Sequence, residues 1–171
     1  MSISTQLVKK LIQIPIFGGL TIAEAAEFFE VALESAHSKD ATLFREGDDG
    51  EALLVILEGE VQVTRKGVEL ARVGKNSVLG EMSLVGDGEV RSATAIALTD
   101  VKTLTIPSKR VQKMLKGDSV AALKVVSNLA AVMSKRLAAI NERLVSLSPS
   151  PGGKKKEELA DFGRILTSWQ F

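Results

Sequence analysis

The sequence predicts an α+β fold in which helices flank an antiparallel β-sandwich or barrel. Near the N-terminus, apolar residues recur at the spacing of a helix. Between residues 41 and 106 they alternate with a period of two, and Gly, Asn or Asp turns interrupt them every few residues. Helical spacing returns beyond residue 108. Many short strands with regular turns are typical of a sandwich or barrel.

Composition is that of an ordinary globular protein of one domain. The 171 residues are 45% hydrophobic and 25% charged, with a net charge of +1 and no cysteine. The absence of cysteine excludes disulfides and thiolate chemistry. A charge near zero favours neither nucleic acid nor an anionic membrane as partner. No apolar run reaches membrane-spanning length, and the N-terminus lacks a signal-peptide core, so we expect a cytoplasmic protein.

Residues 5–36 are predicted to be helical, with an interruption at Pro15. Thr21 and Glu24 have the spacing of a capping box at the start of a second helix. That helix is expected to bury four apolar side chains: Ala25, Phe28, Phe29 and Leu33. His37, the only histidine, is expected at a helix end as an exposed cap residue instead of a catalytic base.

The central region, residues 41–106, is predicted to be all β. Strands are expected near residues 42–46, 52–57, 60–65, 68–73, 91–98 and 101–106. Asp48, Asp49 and Glu51 carry carboxylates, but their spacing is not that of a calcium loop. We interpret them as a solvated turn and predict no metal site.

Residues 108–147 are predicted to form two helices. Pro107 ends the last strand and Ser108 caps a short helix, which Gly117 terminates. Asp118 or Ser119 then begins a long helix whose apolar residues step alternately by four and three: Val126, Ala130, Met133, Leu137, Ile140, Leu144 and Leu147. Packing against the chain's own barrel accounts for the first half of this stripe. The second half is regular enough to predict a coiled-coil seam.

The C-terminal residues 149–171 are predicted to be a linker followed by a short amphipathic tail. Residues 148–153 are rich in Ser, Pro and Gly, as linkers are. Four apolar residues then fall on one helical stripe: Leu159, Phe162, Leu166 and Trp169. Docking on a partner protein and folding back on residues 1–148 both remain open.

The segment at residues 79–97 has the chemistry of a small-anion site. Gly80 and Glu81 begin a tight turn and a short helix, where backbone N–H groups favour negative charge. Arg91 brings a planar, permanently charged fork that matches phosphate oxygens. Glu81 would repel an anion unless it bonds a nearby hydroxyl. A ligand with one phosphate and an adjacent sugar hydroxyl satisfies both residues.

This segment resembles the phosphate-binding cassette of cyclic nucleotide-binding domains, as found in the catabolite activator protein and in protein kinase regulatory subunits. The family pattern F-G-E-hydrophobic-A-L, a turn, then P-R-[ST]-A-T appears here as LGEMSL at residues 79–84 and VRSAT at residues 90–94. Leu79, Ser83 and Val90 depart from that pattern, and none of the three removes a charged contact. The resemblance implies a jelly-roll (β-roll, a double-stranded β-helix) of about eight antiparallel strands.

The resemblance also implies which residues hold the ligand. Glu81 is expected to bond the ribose 2′-hydroxyl, and Arg91 with the backbone amides of the cassette to hold the cyclic phosphate. The expected binding residues are Gly80, Glu81, Met82, Ser83, Arg91, Ser92 and Ala93. Weaker candidates for contact with the base are Leu70, Ala71, Arg136, Ile140 and Asn141. A homodimer seam is expected at Met133, Leu137, Ile140, Leu144 and Leu147.

The function implied by the resemblance is a cyclic-nucleotide sensor. Ser92 follows the arginine, as in bacterial cyclic AMP receptors, so cAMP is favoured over cGMP. Too few residues follow the long helix for a DNA-binding domain, which suggests a stand-alone module acting on an unknown effector protein. A degenerate member that serves as a structural or interaction protein is the alternative. No nucleophile–base pairing is visible and one histidine is too few for a usual metal site, so we do not expect an enzyme.

Overall fold

The computed structural model describes residues 4–84 and 90–147. Within these ranges, eight strands pair antiparallel in two four-stranded sheets, with helices before and after them. The predicted α+β jelly-roll is therefore confirmed. The chain divides into two units, and the boundary falls within the last helix after Val132. The tail predicted at residues 149–171 and the turn predicted between the two halves of the cassette motif, at residues 85–89, lie outside the described residues.

Two helices and a 3-10 turn form the N-terminal region. Helix α1 spans Thr5–Leu11, the 3-10 turn spans Pro15–Phe17, and helix α2 spans Ile22–Phe29. The predicted capping box is confirmed, because the Thr21 N–H donates to Glu24 Oε2 (2.7 Å) and the Glu24 N–H donates to Thr21 Oγ1 (3.2 Å). This reciprocal pair fixes where α2 begins.

The prediction that residues 5–36 are helical is wrong beyond residue 30. Strand β1 occupies Leu33–His37, and Leu33 is 64% exposed instead of buried on a helix. The strand pairs along its whole length with residues 101–105, and pairing of this kind overrides a weak local preference for helix. His37 is accordingly not a helix cap, because its Nε2 lies 3.1 Å from Thr103 Oγ1 across the sheet.

The remaining strands follow the predicted segments closely, with one addition. They are β2 (Thr42–Phe44), β3 (Ala52–Glu58), β4 (Val61–Arg65), β5 (Val68–Val73), β6 (Val78–Leu79), β7 (Thr94–Ala97) and β8 (Val101–Pro107). The sequence did not reveal β6, and β7 begins at Thr94 instead of residue 91. One sheet has the order β1-β8-β3-β6 and the other β2-β7-β4-β5.

The core of the roll lies between the two sheets. Its buried residues are Leu54, Ile56, Val61, Leu79, Ala95, Ala97 and Val101. Partly buried side chains at Leu43, Phe44, Ala52, Val63 and Val73 pack against them. Removing this apolar surface from water is the main driving force that holds the sheets together.

Helix α3 spans Ser108–Lys116, and helix α4 spans Val120–Leu147. Ser108 does not cap α3 as predicted, because it is the first helical residue and Pro107 occupies the cap position. The buried Ser108 N–H instead donates to the Glu51 carbonyl at 2.8 Å, which ties the helix to the turn before β3. Gly117 ends α3 as predicted. Ser119 Oγ accepts from the Ala122 N–H at 3.4 Å, which confirms the predicted start of α4.

The first part of α4, up to Val132, packs within the first unit. Its buried face consists of Ala121, Ala122, Val125 and Leu129. The predicted stripe is therefore displaced here, since Val126 is half-buried and Ala130 is exposed. Asn128 Nδ2 donates to the Gly18 carbonyl at 2.7 Å, and Lys124 Nζ donates to Glu24 Oε1 at 2.7 Å. These two bonds join α4 to the bend before α2 and to α2 itself.

The second unit begins at Met133 and includes the C-terminal part of α4. In this part Met133 is half-buried and Leu137 is 55% exposed. Ile140, Leu144 and Leu147 are helical, and their side chains lie outside the description. The seam remains a prediction. No helix in the described ranges is both long and apolar enough to cross a bilayer.

Candidate functional site

The cassette carries the chain from the edge of one sheet into the middle of the other. It leaves β6, an edge strand, at Gly80, whose φ of +72° is a left-handed conformation that favours glycine. A 3-10 helix at Glu81–Leu84 follows, as the sequence predicted. The chain is described again from Val90, which forms an isolated bridge with Asp49 before β7 begins. The two ends of the cassette are thus held by different sheets.

Arg91 is the centre of the site, and its backbone is fixed by the turn at residues 47–48. The Arg91 N–H donates to the Asp48 carbonyl (2.7 Å), and the Arg91 carbonyl accepts from the Gly47 N–H (2.8 Å). The residue is only 8% exposed. Its Cζ lies 4.3 Å from the centroid of the Phe44 ring, within the range of a cation–π contact.

Gly80 and Arg91, which are both predicted to bind the ligand, meet at close range. A Cβ built on Gly80 would lie 1.9 Å from Arg91 Nη1 and 3.0 Å from Arg91 Cζ. No side chain fits in that space. The absence of a side chain at Gly80 therefore lets the guanidinium lie directly against the backbone near the start of the cassette.

The guanidinium is buried with hydrogen-bonding capacity unused. Nε and Nη1 of Arg91 have no hydrogen-bond partner within residues 4–84 and 90–147. Burial lowers the pKa of Arg91, while the carboxylates of Asp48, Glu51 and Glu81 raise it. Arginine stays protonated in proteins, so a charged donor without an acceptor is buried here at a cost in stability. An anion supplied from outside would remove that cost.

Ser83 stabilises the turn of the cassette. Its Oγ donates to the Gly80 carbonyl at 2.7 Å, and its N–H donates to the same carbonyl at 3.1 Å. The residue is 2% exposed. The backbone amide of Ser83, one of the predicted binding groups, is thus already hydrogen-bonded within the turn. Of the two residues before it, Glu81 is half-buried and Met82 is exposed.

The other predicted site residues fall into three groups. Ser92 is exposed and Ala93 is buried, and both follow Arg91 directly. Leu70 and Ala71 lie exposed on β5, the edge strand of the sheet that contains β7. The candidates for base contact on α4, which are Arg136, Ile140 and Asn141, belong to the second unit. The structure therefore brings Gly80, Ser83 and Arg91 together.

A cavity of about 700 Å³ opens beside Arg91. Phe44, Ala52 and Leu54 contribute apolar surface to it, and Asp48, Asp49 and Glu51 contribute carboxylates. The three acidic residues are exposed, in agreement with the predicted solvated turn. Within the described ranges, no three His, Asp or Glu side chains are grouped closely enough to hold a metal ion.

Phe44 is the residue of this site that sequence reasoning missed. It precedes the cassette by a long stretch of chain, and in the sequence it is one apolar residue in an alternating strand. Only the pairing of β2 with β7 places the ring near the residues that follow Arg91. The sequence contains no local signal for that contact.

Comparison with known proteins agrees with this geometry. Residues 35–118 match the family model of the cyclic nucleotide-binding domain. A cyclic AMP receptor protein of Thermus thermophilus is 33% identical over 135 residues, which are 72% of this chain. The match spans 57% of that receptor's length.

Solved structures give the same result. A cyclic nucleotide-binding domain from Methylobacillus flagellatus aligns with a TM-score of 0.73 and 26% identity over 88% of each chain. The N-terminal domain of a transcriptional regulator from Streptomyces coelicolor is 32% identical, with a TM-score of 0.62 over 77% of this chain and 94% of that one. With the jelly-roll, the family match and the cassette motif in agreement, the chain belongs to the cyclic nucleotide-binding domain family.

Proposed function

We propose that this chain is a regulatory sensor that binds a cyclic nucleotide at the cassette, with cAMP preferred to cGMP. One observation carries the proposal. Arg91 is buried, charged and packed against Gly80, and two of its nitrogens have no hydrogen-bond partner among the described residues. A cyclic phosphate carries one negative charge, and its exocyclic oxygens can accept hydrogen bonds from these donors.

Glu81 has a separate role in the proposal. A carboxylate accepts hydrogen bonds and repels phosphate, so its natural partner on a cyclic nucleotide is the ribose 2′-hydroxyl. Glu81 follows Gly80 directly, so the carboxylate and the guanidinium lie near the same turn. One ligand with adjacent phosphate and hydroxyl groups can engage both.

The preference for cAMP rests on Ser92 and on the relative named a cyclic AMP receptor protein. Ser92 is exposed next to Arg91 and offers a hydroxyl without the methyl group of threonine. Asn141, Arg136 and Ile140 of α4, with Leu70 and Ala71 of β5, are the proposed contacts with the base. Specificity for adenine is therefore proposed to depend on residues outside the cassette.

Signalling is proposed to proceed by a shift between two arrangements of α4. A ligand changes such an equilibrium only if it binds one arrangement more tightly. We propose that the helix seam forms a homodimer and that an effector protein responds to the change. The output is binding and assembly instead of catalysis. A degenerate member that works without ligand is the competing function, and the unpaired donors of Arg91 argue against it.

Isothermal titration of the purified chain with cAMP and then cGMP tests the proposal. The wild-type chain is expected to bind with micromolar affinity or tighter. A charged hydrogen bond contributes about 1.5–3 kcal/mol, so Arg91→Ala is expected to weaken binding by roughly ten- to more than a hundredfold. Arg110→Ala, which removes an exposed arginine on α3, is the matched control and should bind as the wild type does.

The outcomes separate the two candidate functions. Binding that Arg91→Ala loses and Arg110→Ala keeps establishes the sensor, and the tighter of the two nucleotides identifies the ligand. An absence of heat with both nucleotides, from protein shown to be folded and free of bound nucleotide, would favour the ligand-independent scaffold. Equal binding by Arg91→Ala would show that the nucleotide binds elsewhere.

A further inference from the structure

Phe44 approaches the binding arginine from outside the cassette. It is the last residue of β2, an edge strand, and its side chain packs against the core between the sheets. The core fixes the ring in place. The Arg91 Cζ lies 4.3 Å from the ring centroid, so the aromatic face supports the charged group.

The chemical nature of the group that contacts Arg91 decides whether its N–H donors stay available for hydrogen bonds. A guanidinium donates its N–H groups within its own plane. The Phe44 ring carries no oxygen or nitrogen acceptor, so its contact with Cζ does not occupy these donors in conventional hydrogen bonds. Nε and Nη1 accordingly have no hydrogen-bond partner within the described ranges. A carboxylate in the position of Phe44 would instead compete for those donors.

The contacts around Arg91 indicate that its guanidinium is held in place before the ligand binds. Nη1 lies against Gly80, near the start of the cassette. Asp48 and Glu51 favour the charged form of Arg91, but neither bonds Nε or Nη1. Arginine has a long side chain, and ordering it on binding weakens affinity by roughly 2- to 12-fold when it starts out free. A ring that restrains it beforehand reduces that cost.

We propose that Phe44 is a positioning residue, whose ring holds the Arg91 guanidinium in place so that its N–H donors are ready for the cyclic phosphate. This inference rests on the proposed function, since it concerns how the same arginine is prepared. Phe44 itself does not contact the phosphate. Its effect on binding passes entirely through Arg91.

Titration of four chains with cAMP tests the inference: the wild type, Phe44→Leu, Phe44→Tyr and Leu43→Ala. Phe44→Leu keeps an apolar side chain without an aromatic face and is expected to weaken binding by roughly 2- to 30-fold. Phe44→Tyr keeps the aromatic face at a residue that lines the cavity of about 700 Å³, so it should bind like the wild type. Leu43→Ala loosens the same strand next to Phe44 and should leave affinity nearly unchanged.

NMR of the ligand-free protein provides a second test, and a general loosening of the strand does not change its result. In ¹⁵N-edited NMR spectra, the Arg91 Nε–H should show a ring-current shift and slow exchange with water, and Arg91→Lys identifies the resonance by removing it. Phe44→Leu should abolish the shift and Phe44→Tyr should retain it. The measurement uses the wild-type chain itself, so it remains decisive if Phe44→Leu does not fold.

The failures of the two proposals differ. If the wild type binds and Phe44→Leu binds equally well, or Leu43→Ala loses as much affinity as Phe44→Leu, the positioning role is overturned and the sensor stands. An Arg91 Nε–H without a ring-current shift in the wild type also overturns the positioning role. If the wild type binds neither nucleotide, the proposed function fails, and the positioning role fails with it.

Discussion

The close contact between Gly80 and Arg91 restricts which residue can occupy position 80. Arg91 can lie against the start of the cassette only because Gly80 has no side chain. Gly80 also has a left-handed backbone, which glycine adopts without steric cost. Two separate physical requirements thus coincide at one position, and a single substitution would violate both.

Gly80→Ala is expected to reduce both stability and nucleotide affinity. The added methyl group must displace the guanidinium, and a non-glycine residue in this backbone region costs roughly 1–2 kcal/mol. The matched control is Gly67→Ala, because Gly67 also has a positive φ (+78°) but a Cβ there meets nothing within 4 Å. Urea unfolding should show a loss for both variants. Titration with cAMP should show weaker binding for Gly80→Ala alone, and equal affinity for the two variants would refute the role of the contact.

At the scale of single residues, the sequence allows prediction of those with distinctive chemistry. The sequence predicts that Gly80 and Arg91 act at one site, because a glycine, a carboxylate and an arginine in one motif have few other uses, and the structure brings the two residues into contact. Phe44 could not be identified, since its contact depends on how two strands pair. Ser83 was expected to offer its amide to a ligand, but that N–H bonds the Gly80 carbonyl, a detail of turn geometry that the motif does not encode.

Among the elements, α2 and α4 are joined through Glu24. This carboxylate closes the capping box with the Thr21 N–H and also accepts from Lys124 Nζ. A single side chain thus fixes the start of one helix and the position of another. The hydrogen bond from Lys124 is the main cause of a lowered pKa at Glu24, with the Thr21 backbone N–H next.

Glu24 is expected to contribute to the acid sensitivity of the fold. Its folded-state pKa lies below the usual 4.5, so its contribution to stability is complete above that pH and is lost as the pH falls through the folded-state value. Glu24→Gln should therefore be less stable than the wild type near neutral pH and lose less stability on acidification. Urea unfolding from about pH 7 to about pH 3 measures the two curves.

Glu30→Gln serves as the control for that experiment. Glu30 is the exposed residue at the end of α2, and its carboxylate makes no hydrogen bond or ion pair within the described ranges. Its pH curve should run parallel to that of the wild type. A Glu24→Gln curve that is also parallel would show that the joint with Lys124 does not depend on the charge of Glu24.

Elements with a clear period or cap were predictable, and those defined by distant pairing were not. The capping box and the helix ends at Gly117 and Ser119 follow from local chemistry. Strand β1 was mistaken for helix because Leu33 continues the apolar spacing of α2, whereas its pairing with β8 has no local signal. Strand β6 has only two residues, too few for any period to show.

For the molecule as a whole, the seam of α4 predicts a homodimer. Leu137 is 55% exposed on the described surface, as a residue at an interface between two copies would be in a single chain. Coiled-coil pairing of two such helices would bury this leucine with its counterparts at Ile140 and Leu144. The seam is thus proposed as the part of the chain that carries the signal outward.

Leu137→Glu combined with Leu144→Glu is expected to convert a dimer into a monomer. A charged side chain at the seam would have to be buried against its own copy, which is strongly unfavourable. Sedimentation velocity distinguishes the two states. The control is Leu123→Glu, because Leu123 is similarly exposed at 54% on α4 but is not part of the seam. A dimer that survives the double substitution would disprove the seam.

The neighbouring positions of β1 and β8 determine when the roll can form during synthesis. In that sheet β8 lies between β1 and β3, and it is the last of the described strands to leave the ribosome. Until residue 107 has emerged, β1 lacks its partner and β3 has an open edge. Contacts between residues far apart in sequence slow folding, and unpaired strand edges promote aggregation. A nascent chain interrupted before β8 is therefore expected to be a substrate for chaperones or proteases.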